Sequence, residues 1–527
     1  MLSLNLKNNS TGLAANTLVE RNTCAIRSHL VLALKDGYLF SPNKVLINDS
    51  AKTMTYGEAY IRSLKLHNTL KEQYQLDKDD WVCVITGNNA WFPLVLSALE
   101  LIACNLIVYP NDNVYVEVDD FLDHSKLKMI FTDNEKLAEH ISETLHFENV
   151  VVLQEYSQYK TIKDLSKLGE ISTPEKHEGN DVLSISLLTS GSTGKPKIIT
   201  LNAHSFVLSS TALAKSIEIN RKDKCFIPVP FFHTFGIVAI YASILSQASI
   251  ITLEKYKVHQ SLDMQSENQA TAYFGVPTMY IRELKANSQD DWSLSSLCKG
   301  VIAGSYCPPH LFEEYESKYR CKLVQSYGMT ETSATLTSTQ LYDSLEVRAQ
   351  TVGKPIAGAE VKIGDLREIY CKSPALYIYY IDENGVHNPK LDSEGWFHTG
   401  DVGRFDKQNN LVIEGRLKDM IIRGGINIFP SEIENAYSEH PDIMECCVIP
   451  YPDEELGERT CLCVHLREDK ESAYDLRQYA HGRIAKQKIP DLVLKFDSFP
   501  HLASGKLDKK LIQTSALEQI NSIRKES

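Results

Sequence analysis

The sequence predicts an α/β fold with a large N-terminal domain of α/β sheet layers, a β-rich subdomain and a small α+β C-terminal domain. Between about residues 45 and 330, short apolar runs such as VLIND, WVCVITG and KCFIPVP alternate with longer stretches of helical character. This alternation favours largely parallel sheets, whose loops gather ligands at the strand ends. After Gly353 the strands become shorter and richer in turns, and after about Arg416 the pattern changes again.

Each apolar run in the first part of the chain is predicted to be one strand. The remaining runs there are NLIVYP, MIFTD, VVVLQ, SIITL, TAYFGVP, GVIAGS and KLVQSYG. The β-rich subdomain is predicted from REIYCKSP, DVGRFD and LVIEGR, which are short and end in turn residues.

The C-terminal part begins with a glycine hairpin at residues 423–425 and a helix that starts at Pro430. Two strands, a helix near residues 474–488 and a final strand follow, and the tail after Ala516 is expected to fray. A boundary near Lys418 divides the chain into domains of residues 1–416 and 417–527.

Length and charge limit the classes of protein. The chain has 527 residues, of which 43% are hydrophobic and 23% are charged, which is ordinary globular composition with room for two or more domains. A formal net charge of -13 argues against a nucleic-acid partner, because such proteins normally present a basic face to the phosphate backbone. A local basic loop can still bind phosphate within an acidic protein.

No segment predicts export or membrane insertion. The N-terminus, MLSLNLKNNSTGL, lacks a charged start followed by a continuous apolar core, and the two most apolar stretches, residues 91–110 and 235–253, are interrupted by polar residues. We therefore expect a cytoplasmic protein without integral membrane association. Its 12 cysteines are expected to be reduced, and none forms a CxxC pair that would indicate a metal site.

Residues 187–197 read LLTSGSTGKPK, an apolar run followed by a loop suited to polyphosphate. Gly191 and Gly194 let the backbone amides converge on an anion. The side chains that supply hydroxyl donors or positive charge are Thr189, Ser190, Ser192, Thr193, Lys195 and Lys197. The loop indicates a nucleotide ligand, although a surface turn without a ligand is the alternative from this segment alone.

The same loop does not fit the Walker pattern of kinases and GTPases. That pattern needs four residues between the first glycine and the Gly-Lys pair, then Ser or Thr, then a helix. Here only two residues separate Gly191 from Gly194, and Pro196 precedes a β-rich run, Ile198-Ile199-Thr200. We therefore predict a loop between two strands.

Further segments supply groups that a nucleotide and a metal ion would need. In QSYGMTET, Tyr327 could stack on adenine, Thr330 could donate to a phosphate, and Glu331 could hold Mg²⁺. The residues Gly304 and Ser305, at the end of GVIAGS, are assigned to the same nucleotide site. On its own, the segment QSYGMTET could equally be an ordinary turn in which the Glu331 carboxylate is solvated.

Three more residues, each in a separate segment, complete the set. Asp401 in GWFHTGDVG could accept both ribose hydroxyls, and Arg416 in EGRLKD could close the ribose from the other side. Lys506 in LASGKLDKK could reach the charge that builds between an attacking carboxylate and the α-phosphate. Taken alone, each could instead be a capping or solvated side chain.

Taken in order, these segments resemble the superfamily of adenylate-forming enzymes, which contains acyl- and aryl-CoA ligases, carrier-protein adenylation domains and beetle luciferases. The resemblance extends from about residue 45 to 515. It implies that the loop at residues 189–197 binds the leaving pyrophosphate and that Tyr327, Thr330, Glu331, Asp401, Arg416 and Lys506 have the roles given above. It also implies that Lys418 is the hinge of a mobile small domain.

The resemblance further implies ATP, Mg²⁺ and a small-molecule carboxylic acid as ligands, and coenzyme A or a carrier-protein phosphopantetheine as the acceptor. An acyl-adenylate would form first. The small domain would then rotate about Lys418, withdraw Lys506 and present the hairpin with Gly424 and Gly425 to the thiol.

The segment PFFHTFG, residues 230–236, is similar to the pattern of acyl- and aryl-CoA ligases. It lacks the aspartate that amino-acid-activating domains use to hold an ammonium, which favours a fatty or aryl acid. His233 is expected to line or gate the acyl pocket, with a buried structural histidine as the alternative. The pocket candidates, a mixed apolar set, are Phe235, Val276, Ala303, Gly304, Ser326 and Met329.

Three residues depart from glycines that are customary in the family: Ile198, Arg367 and Tyr379. We expect them to alter packing and not the chemistry. An acid-thiol ligase that forms acyl-CoA is therefore the leading hypothesis, with a stand-alone enzyme that loads an acyl or aryl carrier protein as the alternative. A non-catalytic nucleotide-binding paralogue is the third hypothesis.

Overall fold

The computed structural model describes residues 30–111, 126–155, 157–169, 182–190, 196–289, 291–382, 385–438, 440–467, 474–501 and 507–526. Its helices, in chain order, are α1 Leu30–Phe40, α2 Tyr56–Glu72, α3 Phe92–Ile102, α4 Glu135–Glu139, α5 Ile162–Leu168, α6 Ala203–Ser216, α7 Thr234–Leu245, α8 Val258–Glu267, α9 Pro277–Ala286, α10 Pro309–Tyr319, α11 Leu345–Gln350, α12 Pro430–Ser438, α13 Tyr474–Tyr479 and α14 Lys509–Glu526. A π-helical turn spans His140–Thr144, and 3₁₀ turns span Thr330–Thr332, Asp365–Arg367, Leu417–Asp419 and Lys486–Lys488.

The strands, in chain order, are β1 Val45–Asn48, β2 Thr53–Thr55, β3 Trp81–Ile85, β4 Asn105–Tyr109, β5 Leu127–Thr132, β6 Val150–Val152, β7 Ser184–Ser190, β8 Pro196–Asn202, β9 Lys224–Phe226, β10 Ser249–Ile251, β11 Ala272–Gly275, β12 Lys299–Ile302, β13 Lys322–Tyr327, β14 Thr337–Ser338, β15 Lys354–Pro355, β16 Glu360–Ile363, β17 Glu368–Lys372, β18 Tyr379–Asp382, β19 Gly385–His387, β20 Phe397–Phe405, β21 Leu411–Arg416, β22 Ile421–Arg423, β23 Ile426–Ile428, β24 Ile443–Asp453, β25 Gly457–Leu466 and β26 Leu492–Lys495.

Two large sheets form the N-terminal part of the molecule. One has nine strands in the order β15-β14-β13-β12-β11-β9-β10-β1-β2, and the other has eight in the order β19-β18-β8-β7-β4-β3-β5-β6. Pairing is parallel through the middle of both sheets and antiparallel towards the ends that carry β14 and β18. The predicted α/β class and the largely parallel pairing are confirmed.

Helices between the sheets explain why the strands are apolar on both faces. Every residue of α3, FPLVLSALELI, is buried, which is typical of a helix covered on all sides. Its first turn contains Pro93, whose missing N–H costs nothing at a position with no helical acceptor. One large cluster of buried side chains extends from Leu30 to Phe397 and joins both sheets.

The β-rich section is a four-stranded antiparallel sheet in the order β16-β17-β20-β21. The expected β-rich section is present, but its strands are not shorter than those before it, since β20 has nine residues and β21 has six. In β20 and β21, Asp401 lies directly opposite Arg416. This register brings two of the predicted site residues together.

The C-terminal part is a five-stranded sheet, ordered β23-β22-β25-β24 with β26 parallel to β25. Side chains of β24 and β25 alternate between two separate cores, as the period of a strand requires. Val448 and Leu462 contribute to the core that contains α12, whereas Cys447 and Cys461 contribute to the core that contains α14. The division at residues 416 and 417 stays a prediction.

Two expectations for this region are wrong. The helix expected near residues 474–488 ends at Tyr479, and Gly482 follows in a left-handed conformation with φ of +80°. The tail after Ala516 does not fray in this structure, because α14 continues to Glu526 and buries Ile520.

Among the helices that the structure describes, none has the length and apolar character of a membrane span.

Candidate active site

Tyr327, Asp401 and Arg416 form a hydrogen-bonded group where β13 meets the β-rich sheet. The Tyr327 hydroxyl donates to Asp401 Oδ2 at 2.7 Å, and Arg416 Nε lies 3.0 Å from Asp401 Oδ1. Asp401 is 4% exposed, whereas the Arg416 side chain is exposed. Burial and the Asp401 carboxylate raise the pKa of Tyr327 well above its ordinary value, so its hydroxyl stays protonated as a donor. A buried carboxylate flanked by an aromatic ring and a guanidinium suits a ribose and its base.

Thr330 and Glu331 lie in the 3₁₀ turn that follows β13. The turn is fixed from outside, because the Glu331 carbonyl accepts the Tyr377 N–H at 2.9 Å. Burial raises the pKa of the Glu331 carboxyl, while Arg416 and Lys197 act in the opposite direction. Glu331 is thus within electrostatic reach of both the Asp401 group and the strand after the loop.

The predicted polyphosphate loop joins two antiparallel strands, as expected. Thr189 at the end of β7 pairs with Lys197 near the start of β8, and the Thr189 hydroxyl lies 3.4 Å from the Lys197 carbonyl. Ser190 pairs with Pro196 in the backbone register. The loop residues proper, Gly191, Ser192, Thr193, Gly194 and Lys195, lie outside the described residues.

A second lysine accompanies Lys197 beside the loop. Lys197 Nζ lies 5.2 Å from the centre of the Tyr380 ring, and Lys390 Nζ lies 5.8 Å from the same centre. Tyr380 also stacks on His387 at 4.6 Å. Sequence reasoning missed Lys390 and Tyr380, because a single lysine in NPKLDSEGW carries no pattern that indicates a ligand.

The segment from Pro230 to Gly236 crosses from β9 to α7. His233 is half-buried and immediately precedes α7, with φ and ψ of -106° and 149°. Gly236 allows the chain to turn tightly, because a Cβ there would lie 2.1 Å from the Pro230 carbonyl oxygen. Phe235, one of the pocket candidates, packs against Phe274 with ring centres 6.3 Å apart.

Asn88 holds this segment in place, and sequence reasoning missed it too. Its Nδ2 donates to the Val229 carbonyl at 3.0 Å and to the Thr252 hydroxyl at 3.1 Å. Its Oδ1 accepts the Phe231 N–H at 2.8 Å. The only sequence signal was an Asn-Asn turn after β3.

The other pocket candidates lie at strand ends. Val276, Ala303 and Ser326 are buried, at the ends of β11, β12 and β13 respectively, and Met329 is half-buried. Gly304, with φ of +87°, and Ser305 are exposed just beyond β12. The candidates therefore follow neighbouring strands of one sheet, which is where α/β proteins bind ligands.

The three departures from customary glycines lie outside this group. Ile198 is in mid-strand, between Leu188 and Ile381 of its neighbours. Tyr379 is opposite Thr200 in the same sheet. Arg367 has a left-handed φ of 63°, and its Nη1 lies 2.7 Å from Glu414 Oε2. Ile198 and Tyr379 lie within the sheet, Arg367 makes an exposed ion pair, and the effect of all three on activity stays a prediction.

In the small domain, Lys418 is exposed in the 3₁₀ turn between β21 and β22. Lys506 lies outside the described residues, but the ends of its loop, His501 and Leu507, form an antiparallel bridge. His501 Nε2 lies 3.4 Å from Arg282 Nη2 of α9 and 2.9 Å from Glu445 Oε1. His501 therefore contacts α9 of the large domain.

The glycine hairpin lies between β22 and β23. Gly424 and Gly425 have φ of +55° and +80°, and no atom beyond the adjoining residues lies within 4 Å of a Cβ built on Gly425. One side of the hairpin is thus open to a thin ligand.

Comparisons with known proteins bear on the family and the fold. Family models match residues 40–375, described as AMP-binding enzyme, and residues 432–506, described as AMP-binding enzyme C-terminal domain. The chain is 31% identical over 408 residues to the putative acyl-CoA synthetase YngI of Bacillus subtilis (strain 168), which covers 75% of this chain and 72% of that protein.

Two further proteins are similar. The chain is 30% identical over 356 residues to the mitochondrial medium-chain acyl-CoA ligase ACSF2 of Homo sapiens, covering 63% of this chain and 57% of that protein. The fold matches the crystal structure of the anthranilate CoA ligase AuaEII in complex with anthranoyl-AMP. That match has a TM-score of 0.83 and 20% identity, and covers 94% of this chain and 98% of that chain.

Proposed function

Because this chain belongs to the AMP-binding enzyme family, in its acyl-CoA synthetase branch, we propose that it activates a carboxylic acid with ATP and transfers the acyl group to coenzyme A. The observation that carries the proposal is the hydrogen-bonded group of Tyr327, Asp401 and Arg416, with Glu331 close by. The group offers a ribose acceptor, an aromatic face and a metal-binding carboxylate within one corner of the molecule.

In the first half-reaction, a carboxylate oxygen of the acid attacks the α-phosphorus of ATP. The bond from the α-phosphorus to the bridging oxygen breaks, and pyrophosphate leaves with the electron pair. Asp401 accepts hydrogen bonds from the ribose hydroxyls, and Arg416 contacts the ribose from the other side. Thr330 donates to a phosphate oxygen, and Thr189 and Lys197 hold the pyrophosphate side. Lys506 supports the charge on the reacting oxygens.

Glu331 would hold Mg²⁺, a cation that neutralises phosphate charge and prefers oxygen ligands in octahedral geometry. In the described part of the chain, no group of three or more His, Cys, Asp or Glu side chains is placed to hold a metal ion. The Glu331 carboxyl also suits a cation chemically. Burial raises its pKa, and a cation bound beside it would favour the ionised carboxylate.

In the second half-reaction, the small domain rotates about Lys418 and brings the hairpin of Gly424 and Gly425 to the acyl-adenylate. The thiol sulfur attacks the acyl carbonyl carbon, and AMP leaves. The open side of Gly425 supports this role, because a pantetheine arm needs close approach to the backbone. The same arm is presented by carrier proteins, so loading of an acyl or aryl carrier protein is the alternative.

The acid we propose is a fatty acid of medium length or an aryl acid. We assign the acyl group to an apolar set of side chains, with His233 lining or gating the pocket. The set is Phe235, Phe274, Val276 and Ala303, and its support is the packing of Phe235 on Phe274 and the burial of the other two. An ionised carboxylate needs no base, so His233 is not required to remove a proton. The human relative's name, medium-chain acyl-CoA ligase, supports the first of these acid classes.

Pyrophosphate release from ATP and Mg²⁺ tests the proposal across a panel of fatty, aryl and amino acids, with and without coenzyme A. We expect release that depends on a fatty or aryl acid and falls about 100-fold or more in Lys506→Ala, because an oxyanion-stabilising cation is lost. Lys510→Ala is the matched control, since Lys510 is an exposed lysine in the same region. No acid-dependent release from the wild type would refute the proposal, and AMP formation only with a carrier protein would favour the alternative.

A further inference from the structure

The glycine hairpin is anchored to its own domain at three points. The Ile422 N–H donates to Glu458 Oε2 at 2.8 Å, and the Gly424 N–H donates to the Leu456 carbonyl at 2.8 Å. The third anchor is the Arg423 side chain. The anchored side of the hairpin thus faces the domain, and Gly425 faces away from it.

The third anchor is a two-point ion pair with Asp491. Arg423 Nε lies 3.0 Å from Asp491 Oδ2, and Arg423 Nη2 lies 2.7 Å from Oδ1. Asp491 Oδ2 also accepts the Thr460 N–H at 3.1 Å, and Arg459 Nη1 lies 3.7 Å from Oδ1. The side chains of Arg423 and Asp491 are only 21% and 10% exposed. A planar fork held by both carboxylate oxygens fixes orientation as well as distance.

The pair stays charged at neutral pH. Burial acts to raise the pKa of Asp491, but the hydrogen bonds from Arg423 and the Thr460 N–H outweigh it and hold the pKa below its ordinary value. The same bond raises the pKa of Arg423.

Asp491 also occupies a particular place in the chain. It directly precedes β26, which pairs with β25 and leads to His501 at the start of the Lys506 loop. One carboxylate therefore connects the hairpin to the strand that leads into the lysine loop. These are the two parts of the small domain that the two half-reactions need in turn.

We propose that Asp491 is a positioning residue for thiol transfer, which holds the hairpin through Arg423 while the thiol attacks. This inference rests on the proposed function. In the step, the C–S bond forms, the bond from the acyl carbon to the AMP oxygen breaks, AMP takes the electron pair, and the thiol proton passes to solvent. Attack requires the sulfur and the carbonyl carbon at near-contact distance, so a hairpin displaced by about 1 Å slows transfer about 100-fold. Adenylation does not use the hairpin and is spared.

The test compares Asp491→Asn with wild type in two separate assays. Adenylation is measured by pyrophosphate exchange into ATP with octanoate and benzoate as acids, and transfer by mixing octanoyl-AMP with coenzyme A and following octanoyl-CoA. Glu432→Gln is the matched control, because Glu432 pairs with Lys488 at 2.8 Å in the same domain without contacting the hairpin. Arg423→Lys is a second variant that keeps the charge and loses the fork.

In Asp491→Asn, we expect the rate of pyrophosphate exchange to stay within about twofold of the wild-type rate. The rate of octanoyl transfer to coenzyme A should fall by at least about tenfold. Arg423→Lys should show the same split, and Glu432→Gln should change neither assay. Equal losses in both assays with a lower unfolding temperature, or no loss in either, would overturn the role of Asp491. If the wild type exchanges pyrophosphate but the two variants transfer normally, only this inference fails. No exchange and no transfer by the wild type would overturn the proposed function as well.

Discussion

At the scale of single residues, Asp401 carries the most connections in the candidate site. It joins Tyr327 of β13 to Arg416 of β21, and its carboxylate is buried while the Arg416 side chain reaches solvent. A buried carboxylate of this kind is stable only while both oxygens have donors. Ribose hydroxyls would add two donors without removing its charge.

Asp401→Asn tests this residue. The amide keeps the size and one acceptor but loses the charge, so we expect the KM for ATP to rise at least about tenfold, which corresponds to about 1.4 kcal/mol of binding. ATP titration by calorimetry should give the same ratio without turnover. Asp365→Asn, at an exposed position of the same β-rich section, should leave both values unchanged. An unaltered ATP affinity in Asp401→Asn would remove Asp401 from the nucleotide site.

Sequence patterns pointed to residues that the structure places together, but they did not point to residues that act through distant contacts; the roles of both sets stay predictions. Tyr327, Asp401 and Arg416 each stand in a segment whose composition indicates a role, and the structure brings them together. Asn88 contacts a backbone N–H 143 positions further along the chain, and Asp491 contacts an arginine 68 positions before it. Pairings of that kind depend on strand order, which no local pattern encodes.

At the scale of elements, α9 contains a buried carboxyl that the site does not use. Glu283 accepts from Gln265 at 2.9 Å, from the Tyr273 hydroxyl at 2.8 Å and from the Ser261 hydroxyl. It therefore joins α9 to α8 and β11 beside the proposed acyl pocket. Burial raises the pKa of Glu283 to about 7, despite these donors.

The pH dependence of stability follows from this pKa. Because the folded pKa lies above the ordinary value of 4.5, the Glu283 contribution is fully present below pH 4.5 and is lost as pH rises through about 7. We expect the free energy of unfolding to fall by up to about 3 kcal/mol between pH 4.5 and 8 relative to Glu283→Gln, which cannot ionise.

Denaturant unfolding of the wild type and Glu283→Gln at several pH values from 4.5 to 8 measures this difference. Glu267→Gln, an exposed glutamate of α8, is the control and should follow the wild type. Parallel pH profiles for wild type and Glu283→Gln would mean that Glu283 ionises in the folded state as easily as in the unfolded chain.

Element boundaries at the C-terminus illustrate a misread pattern. Ile512, Ala516 and Ile520 are buried at a spacing of four residues, which is the period of an amphipathic helix. The signal was present in the sequence, and the expectation of a frayed tail after Ala516 overlooked it. The opposite error at residues 474–488 has a backbone cause, since Gly482 adopts a left-handed φ that a helix does not tolerate.

At the scale of the whole molecule, the alternation of strands and helices predicted the class of fold, but the order of strands could not be read from it. For example, β11 pairs with β9 and not with β10, the strand that precedes it in the chain. Each apolar run can pair with any other, and the helices that cover the sheet select one order. The arrangement of the two domains depends in turn on a few side-chain contacts, among them Arg282 with His501.

Those contacts predict what should happen if the domains are prevented from moving. His501 contacts Arg282 of α9, so we expect this arrangement of the domains to serve adenylation and not transfer. Replacing Arg282 and His501 by cysteine, with Cys24 and Cys298 changed to serine, and joining the pair with a short bis-maleimide should hold this arrangement. The linked protein should release pyrophosphate in a single acid-dependent turnover and form no thioester, because the hairpin cannot reach the acyl-adenylate.

The same reagent on each single-cysteine variant controls for modification alone, and both should form thioester at the rate of the unlinked double variant. Buried thiols react slowly with maleimides, so the remaining described cysteines, which are buried or half-buried, should not interfere. Thioester formation by the linked protein at the unlinked rate would mean that the two half-reactions share one arrangement of the domains. Lys418 would then not act as a hinge, and the hairpin would need another route to the acyl group. The measurement therefore bears on both steps of the proposed mechanism.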